Sequence, residues 1–409
     1  MTRLLLFTNE YPYRTGDVVF VSNEIEALAE RFDDVVVFCH ARDTSAGMVE
    51  MPSNVRLGGN LFEPAPEDAP RQLLEWGAIG LFLSATWREA LSGGLFRQPR
   101  LFVLGAKVGI TQAHRRAVRE AIAGADDVVA YGFWGMGGGL GVPWLRGVRA
   151  RTTRVHRYDL YAEQAPSSYL PFRPFLYHRA DRVLAISDDA IRYLSRTQPA
   201  ARRKTVLSRL GVFGPPRAPQ HERGAERTIV SCSSVIDVKR VRLILDALRT
   251  LPGLDAAHPV RWEHFGDGPL MPELRAGAAD LPDGLTVRLH GQVPNAELLA
   301  FYAEQRVDAF VNVSVSEGVP VSIMEATAYD IPVLATAVGG TPEIVGPTLG
   351  TGELVAADAS AAQIGHALRR LLDAPEGTYR PRARWAEEFD ARRTGARTAE
   401  LVATAGRAR

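Results

Sequence analysis

The sequence predicts an α/β protein built from two doubly wound parallel sheets. Three observations carry that expectation. Short apolar runs alternate with stretches of helical spacing through both halves of the chain, the pattern of parallel strands joined by crossover helices. A segment rich in proline, glycine and charge, residues 214–224, separates the halves and marks an interdomain linker. The length of 409 residues exceeds what one hydrophobic core organises, so two domains are expected.

In the first half, residues 4–8 and 35–39 read as buried strands, and between them Ile25, Leu28, Ala29 and Phe32 repeat at helical spacing. Residues 64–70 form a proline-rich loop, and 71–92 and 101–123 read as helices. Further short strands are expected at 128–131, 154–156 and 183–186. After the linker the alternation restarts, with strands at 228–233, 260–265, 285–290, 307–313 and 331–335. Helices are expected at 240–251, 270–278, 295–304, 320–329, 358–373 and 383–404. The domains are therefore placed at 1–213 and 225–382.

Composition narrows the class. Hydrophobic content of 46% with 23% charged residues describes a globular chain, and a net charge of +1 supplies no global attraction to nucleic acid. Cys39 and Cys232 lie in apolar runs and read as buried free thiols of a reducing cytoplasm. No Cys/His spacing suits zinc, and no Asp-x-Asp pair occurs to hold a divalent ion against a diphosphate, so no metal is expected. The first apolar run, residues 4–7, is too short for a signal peptide and reads as a strand. No stretch reaches membrane-span length; the nearest, from Trp76 to Trp87, is interrupted by Gly77, Gly80 and Ser84. The basic segment with Arg97, Arg100, Lys107, Arg115, Arg116 and Arg119 around Leu101–Leu104 is compatible with peripheral contact at an anionic inner-membrane face. A solvated helix face is its commoner meaning.

The most informative stretch is 314–326, which sets Glu317 and Glu325 eight positions apart across a Gly318-Val319-Pro320 corner that opens a helix. A second strand and a glycine corner, Gly339-Gly340, follow. Strand, corner, helix, strand, corner is the pattern of a parallel sheet that binds a ligand at its strand ends. A helix N-terminus offers amides to an anion, and carboxylates accept hydrogen bonds from hydroxyls on either side. A ligand with hydroxyls flanking a diphosphate is a nucleotide-sugar. Eight helical residues span about 12 Å, whereas the carboxyls of a retaining glycoside hydrolase stand ~5 Å apart, so the two glutamates do different jobs. An ordinary strand–helix–strand unit with a solvated Glu face is the plain alternative.

This stretch resembles family four of the retaining GT-B glycosyltransferases, which carries two Glu separated by seven residues with Gly-x-Pro after the first. Pro332-Val333, Ala335-Thr336 and Glu343-Ile344-Val345 also fit. The resemblance implies two Rossmann-like domains facing across a cleft, with residues 383–409 returning to the first domain through the helix of Trp385 and Phe389. It assigns Glu317 to the donor sugar hydroxyls and Glu325 to the ribose, with neither as a covalent nucleophile. It places the leaving diphosphate on the loop after the first strand of the second domain, where Lys239 matches the family Lys and Ser234 stands at its Arg position. Arg240 or the Ser233 and Ser234 hydroxyls are left to compensate. The corners at Gly266 and Gly291, with the main chain near Val293, would line the nucleotide pocket.

In the first domain the resemblance points to His156 as a catalytic histidine near the donor sugar, with Arg157 where Gly often follows, and Asp159 to orient it or bind acceptor. Gly16 matches one glycine of a donor-facing loop; Asp17 stands where a second often does. Tyr11, Tyr13 and Arg14 of that loop look suited to an acceptor. The expected activity is retaining, metal-independent transfer of a sugar from a nucleotide-sugar to a glycan, a lipid-linked or a small-molecule acceptor in the cytoplasm, without a resident cofactor. A nucleotide-sugar epimerase or hydrolase of the same fold, or a non-catalytic nucleotide-sugar-binding protein, is the alternative.

Overall fold

The computed structural model describes residues 1–64, 76–165 and 167–407. Contacts divide the chain into two units, Met1–Leu210 with Arg392–Arg409 and Gly211–Ala391. The loop expected at 64–70 and the start of the helix expected at 71–92 lie outside the described residues, apart from Pro64.

The first unit carries β1 (Thr2–Phe7), α1 (Val18–Arg31), β2 (Asp34–Cys39), β3 (Val55–Asn60), α2 (Trp76–Leu91), α3 (Gly94–Arg97), α4 (Pro99–His114) and α5 (Arg116–Ala123). It continues with β4 (Asp127–Gly132), β5 (Ala150–Val155), α6 (Arg157–Leu160), α7 (Arg173–Arg179), β6 (Arg182–Ala185), α8 (Asp188–Thr197) and β7 (Thr205–Leu207). The sheet order is β3-β2-β1-β4-β5-β6-β7, with parallel pairing throughout. Helices cover both faces of such a sheet, so β1 and β2 are apolar at consecutive positions rather than alternate ones. Phe7, Phe38, Phe102, Ile110, Trp144 and Phe172 build one core.

Two strands of this unit escape the sequence reading. β3 ends in Gly58-Gly59-Asn60 and looks like a turn, yet the bare Gly58 is required there: a Cβ would lie 2.5 Å from Val36 Cγ1. β7 has only three residues. The helix expected at 101–123 is two, broken at Arg115, which leaves helical geometry (φ −51°, ψ 135°) and gives its guanidinium to the carbonyls of Leu61 and Glu63.

A buried guanidinium ties this unit together. Arg154, fully buried in β5, bonds Glu24 of α1 at 2.6 Å, Ser208 at 2.9 Å and Thr398 at 2.8 Å. Tyr131 donates to the other Glu24 oxygen at 3.1 Å, and the guanidinium lies 5.2 Å from the Phe133 ring centroid. Burial opposes the charge, but Glu24 and Tyr131 keep Arg154 above its ordinary range.

The second unit holds β8 (Arg227–Cys232), α9 (Val241–Arg249), β9 (Val260–Phe265), α10 (Met271–Gly277), β10 (Leu285–Gly291), α11 (Asn295–Glu304) and β11 (Ala309–Asn312). Then come α12 (Val321–Ala328), β12 (Val333–Thr336), β13 (Gly352–Val355), α13 (Ala361–Asp373) and α14 (Pro381–Glu388). The order β10-β9-β8-β11-β12-β13 is again wholly parallel. In both units the chain winds outward from the first strand and then restarts on its other side, so the order reverses between β1 and β4 and between β8 and β11. That reversal opens a crevice at the carboxyl ends of the strands.

Residues 214–224 group with the second unit. The helix expected at 383–404 is interrupted by a parallel bridge of Val212 to Asp390, with Val212 N–H on the Phe389 carbonyl at 2.9 Å. α15 (Ala391–Ala403) begins after it. Trp385 and Phe389 stay with the second unit: the Trp385 indole donates to the Val212 carbonyl at 3.1 Å and packs on Gly214. Residues from Arg392 onward group with the first.

Arg154→Leu strands Glu24 as a buried, unpaired carboxylate. Breaking one side of such a pair costs about 3–5 kcal/mol. Urea denaturation should show that loss, and the double change Glu24→Met, Arg154→Met should recover part of it. A single variant as stable as the parent would contradict the role given to this network.

Candidate functional site

Five strand ends of the second unit converge on one place. The loop after β8 turns sharply and is laced to the loop after β9: Ser233 N–H bonds the Phe265 carbonyl at 3.0 Å and Val235 N–H the Asp267 carbonyl at 2.9 Å. Gly266 allows this approach, because a Cβ there would stand 2.0 Å from the Ser233 carbonyl oxygen. Its N–H reaches the Gly291 carbonyl at the end of β10, at 2.8 Å. On the other side, Gly339 (φ +52°) lies against the Glu317 carbonyl, where a Cβ would be 1.9 Å away, and Gly340 N–H bonds the Gly318 carbonyl at 2.7 Å. Main-chain atoms thus fix all five corners.

Into this frame the sequence-predicted residues fall as follows. Lys239, on a short 3-10 turn after β8, places its ammonium 2.5 Å from Glu317 Oε1. Asn312, at the end of β11, donates to the same oxygen at 3.3 Å. Gly318, Val319 and Pro320 lead into α12, whose second turn carries Glu325. Glu325 is nearly buried, and Asn295, the first residue of α11, donates to its Oε1 at 2.9 Å. Burial lifts the Glu325 carboxyl to about 7, with the Asn295 hydrogen bond pulling the other way. The Cys232 thiol lies within electrostatic reach of both Glu325 and Lys239; burial pushes it up to about 12. Ser233 is partly exposed, Ser234 exposed and Val293 partly exposed.

Arg240 is placed differently from the expected second cation. It takes a left-handed conformation (φ +50°), and its Nε donates to the Val313 carbonyl at 2.7 Å while Nη2 is buried without a hydrogen-bond partner. It braces the β11 end, leaving Lys239 as the ammonium beside Glu317. Asn295 and Asn312 escaped the sequence reading. Asn312, the polar end of an otherwise apolar strand, is the one that could have been noticed. Phe265 and His290 stack in parallel at 4.1 Å, with His290 Nε2 2.7 Å from Glu263.

In the first unit, the loop after β1 is organised by Asp17. Its carboxylate accepts from the amides of Asn9 (2.9 Å), Glu10 (2.8 Å) and Tyr11 (2.6 Å) and from the Trp134 indole (2.6 Å). An internal anion therefore occupies the amide cradle of this loop. Gly16 (φ +55°) makes the turn beside Glu10. Tyr11 is fully buried, which removes it from the acceptor residues, and its hydroxyl has no partner. Tyr13 pairs with Met48 through the main chain, and Arg14, exposed, spends its Nε on the Met48 carbonyl at 3.2 Å.

His156 ends β5 and is nearly buried, its ring centroid 3.9 Å from that of Trp134 and its Nε2 without a partner. Burial, with Arg154 adding to it, holds this histidine well below its usual range and so neutral. Asp159 is fully buried, accepting from His156 N–H at 2.5 Å and Gly135 N–H at 2.6 Å. Desolvation raises it to about 6 against the field of Arg173. It thus positions the main chain at His156, and its burial removes the acceptor-binding alternative.

Two doubly wound parallel sheets, with polar side chains gathered where the strand order reverses, define the GT-B class. Residues 226–374 match the model of the family described as glycosyl transferases group 1. WcaL of Salmonella typhimurium, a proposed colanic acid biosynthesis glycosyltransferase, is 30% identical over 282 residues, covering 65% of this chain and 66% of the relative. The Escherichia coli K12 protein of the same name is 30% identical over 205 residues, 47% of this chain and 48% of the relative. The matches therefore span about half to two-thirds of those relatives. Among solved structures, sucrose-phosphate synthase from Thermosynechococcus elongatus has a TM-score of 0.69 at 18% identity over 98% of both chains. Anabaena Alr3699/HepE in complex with UDP-glucose has a TM-score of 0.61 at 16% identity, over 98% of this chain and 99% of that one. Those two likenesses speak for the fold. No helix among the described residues is long and apolar enough to cross a membrane.

The Glu325 carboxyl gives a pH signature. Its value is about 7 in the folded chain against 4.5 for an ordinary glutamate. The folded state holds this proton more tightly, so stability from this group is full below about pH 4.5 and is lost as pH rises to about 7. Glu325→Gln removes that loss and can still accept from Asn295. Denaturation from pH 4 to 8 should show the variant gaining on the parent, by up to about 3 kcal/mol above pH 7. A difference that does not change with pH would contradict the burial assigned to this carboxyl.

Proposed function

We propose that the chain is a retaining glycosyltransferase that moves a sugar from a nucleotide-sugar to an acceptor hydroxyl of a glycan, a lipid-linked sugar or a small molecule. The observation that carries this reading is the Lys239–Glu317 pair, set at the strand-order reversal beside Glu325 within the group 1 match. Uridine nucleotides are the first donors to test, because Alr3699/HepE, a neighbour in fold, is described in complex with UDP-glucose.

In this scheme the nucleotide lies over the corners at Gly266 and Gly291. Its ribose hydroxyls meet Glu325, and the sugar hydroxyls meet Glu317. Binding draws the Lys239 ammonium from Glu317 toward the diphosphate. As the anomeric bond breaks, charge grows on the departing diphosphate and its contact with Lys239 strengthens, which lowers the barrier rather than merely improving binding. The proposal gives that neutralisation to Lys239 and main-chain amides instead of a metal ion.

Nucleotide release distinguishes the readings. Transfer predicts free nucleotide only when acceptor is added, and the same rate in EDTA. Release without acceptor would indicate hydrolysis, and a sugar altered while still attached to its nucleotide would indicate epimerisation. Binding of donor with no turnover under any acceptor would mark a binding protein. Loss of turnover in EDTA restored by Mg²⁺ or Mn²⁺ would overturn the metal-free scheme.

Lys239→Ala should lower kcat more than it raises donor KM, because the contact strengthens with developing charge. A hundredfold loss corresponds to about 2.7 kcal/mol, within reach of one preorganised cation. Steady-state kinetics with a near-normal kcat would place the diphosphate elsewhere.

A further inference from the structure

We propose that the outer face of α2, α3 and α4 is a docking surface for an anionic lipid membrane. The helices are anchored by their inner faces: Ala85 of α2 and Phe102, Ala106 and Ile110 of α4 are buried in the first unit's core, and Phe82 meets Phe102 at 6.3 Å between centroids. α3 packs on both neighbours. Their outward faces are nevertheless apolar. On α2, Leu83, Trp87 and Leu91 recur every four residues, which puts them in one stripe. Trp87 is 66% exposed and Leu91 69%. α3 adds Phe96 at 75%, and α4 adds the exposed Val103 and Leu104. Single exposed apolar residues are ordinary, but aromatic and leucine side chains gathered on neighbouring helices mark an interaction surface.

Charge selects the partner. Between Trp76 and Arg115 the sequence has one acidic residue, Glu89. It is fully buried, with the Tyr169 hydroxyl donating to it. The exposed charges of these helices are therefore cationic: Arg97, Arg100 and Lys107. The whole chain carries only +1, so this is a local imbalance. An apolar stripe with tryptophan and phenylalanine, flanked by cations and with no exposed carboxylate among the described residues of α2, α3 and α4, complements an anionic headgroup layer over acyl chains. With no membrane-spanning helix among the described residues, the surface lies on a bilayer rather than crossing it. The proposal is independent of the chemistry assigned to the second unit.

Vesicle flotation of the full chain tests it, with phosphatidylcholine alone and phosphatidylcholine mixed with phosphatidylglycerol as probes. The protein should float with the anionic vesicles and be released by salt. Leu83→Ser, Trp87→Ser, Phe96→Ser in combination alters only exposed positions. It should keep the parent's thermal unfolding while vesicle partition falls about tenfold or more. Arg97→Glu, Arg100→Glu, Lys107→Glu leaves the apolar stripe intact and should weaken binding roughly fivefold for each cation removed. The proposal is overturned if the parent does not float with anionic vesicles or floats equally with neutral ones. It also falls if the serine variant binds as the parent does. A parent that forms a dimer dissolved by the serine changes, without vesicle binding, would make this face a contact between copies of the chain.

Discussion

Lys239 and Glu317 lie 2.5 Å apart across the loops that follow β8 and β11, and that contact sets the charge at the second unit's strand ends within a frame held by main-chain hydrogen bonds. Glu317 is nearly buried; a carboxylate so placed is costly unless paired. Its partners are a lysine that retains some exposure and Asn312 on the strand behind it. The backbone closes in because glycine permits it: Gly339 touches the Glu317 carbonyl, and Gly266 touches that of Ser233. The side chains that carry charge are thus held by elements that cannot easily move, while the ammonium itself sits on a flexible stem. Such a cation can exchange one anionic partner for another without disturbing the frame.

The first unit places its polar groups under a different rule. Its equivalent loop after β1 has its amides satisfied by Asp17, and the cation of β5, Arg154, is turned inward onto Glu24, Ser208 and Thr398. Both choices leave His156 in a buried, aromatic setting where protonation is disfavoured. The two units share a winding but not a site chemistry.

Much of this was legible in the sequence. The alternation of apolar runs located most strands within a few residues, because parallel strands buried on both faces leave a continuous signal. Lys239, Glu317 and Glu325 were legible because their spacing sits in a run of glycines and prolines whose backbone roles are specific. Three kinds of feature were not. β3, β7 and β13 are short or glycine-bearing and are held by pairing with neighbours, which no local pattern reports. Asn295 and Asn312 matter through partners 30 and 5 residues away. Tyr11 reads in the sequence as an acceptor contact and Asp159 as either orienting His156 or binding acceptor; burial removes the acceptor role from both.

The most direct test of the account is a crystal structure of the chain with a bound nucleotide-sugar, with UDP-glucose as the first trial. The account predicts the diphosphate oxygens within hydrogen-bond distance of Lys239 Nζ, the ribose hydroxyls on Glu325, and Glu317 released from Lys239 and turned to the sugar hydroxyls. A nucleotide bound elsewhere, or one bound here with the Lys239–Glu317 contact intact and the diphosphate held by other groups, would contradict it.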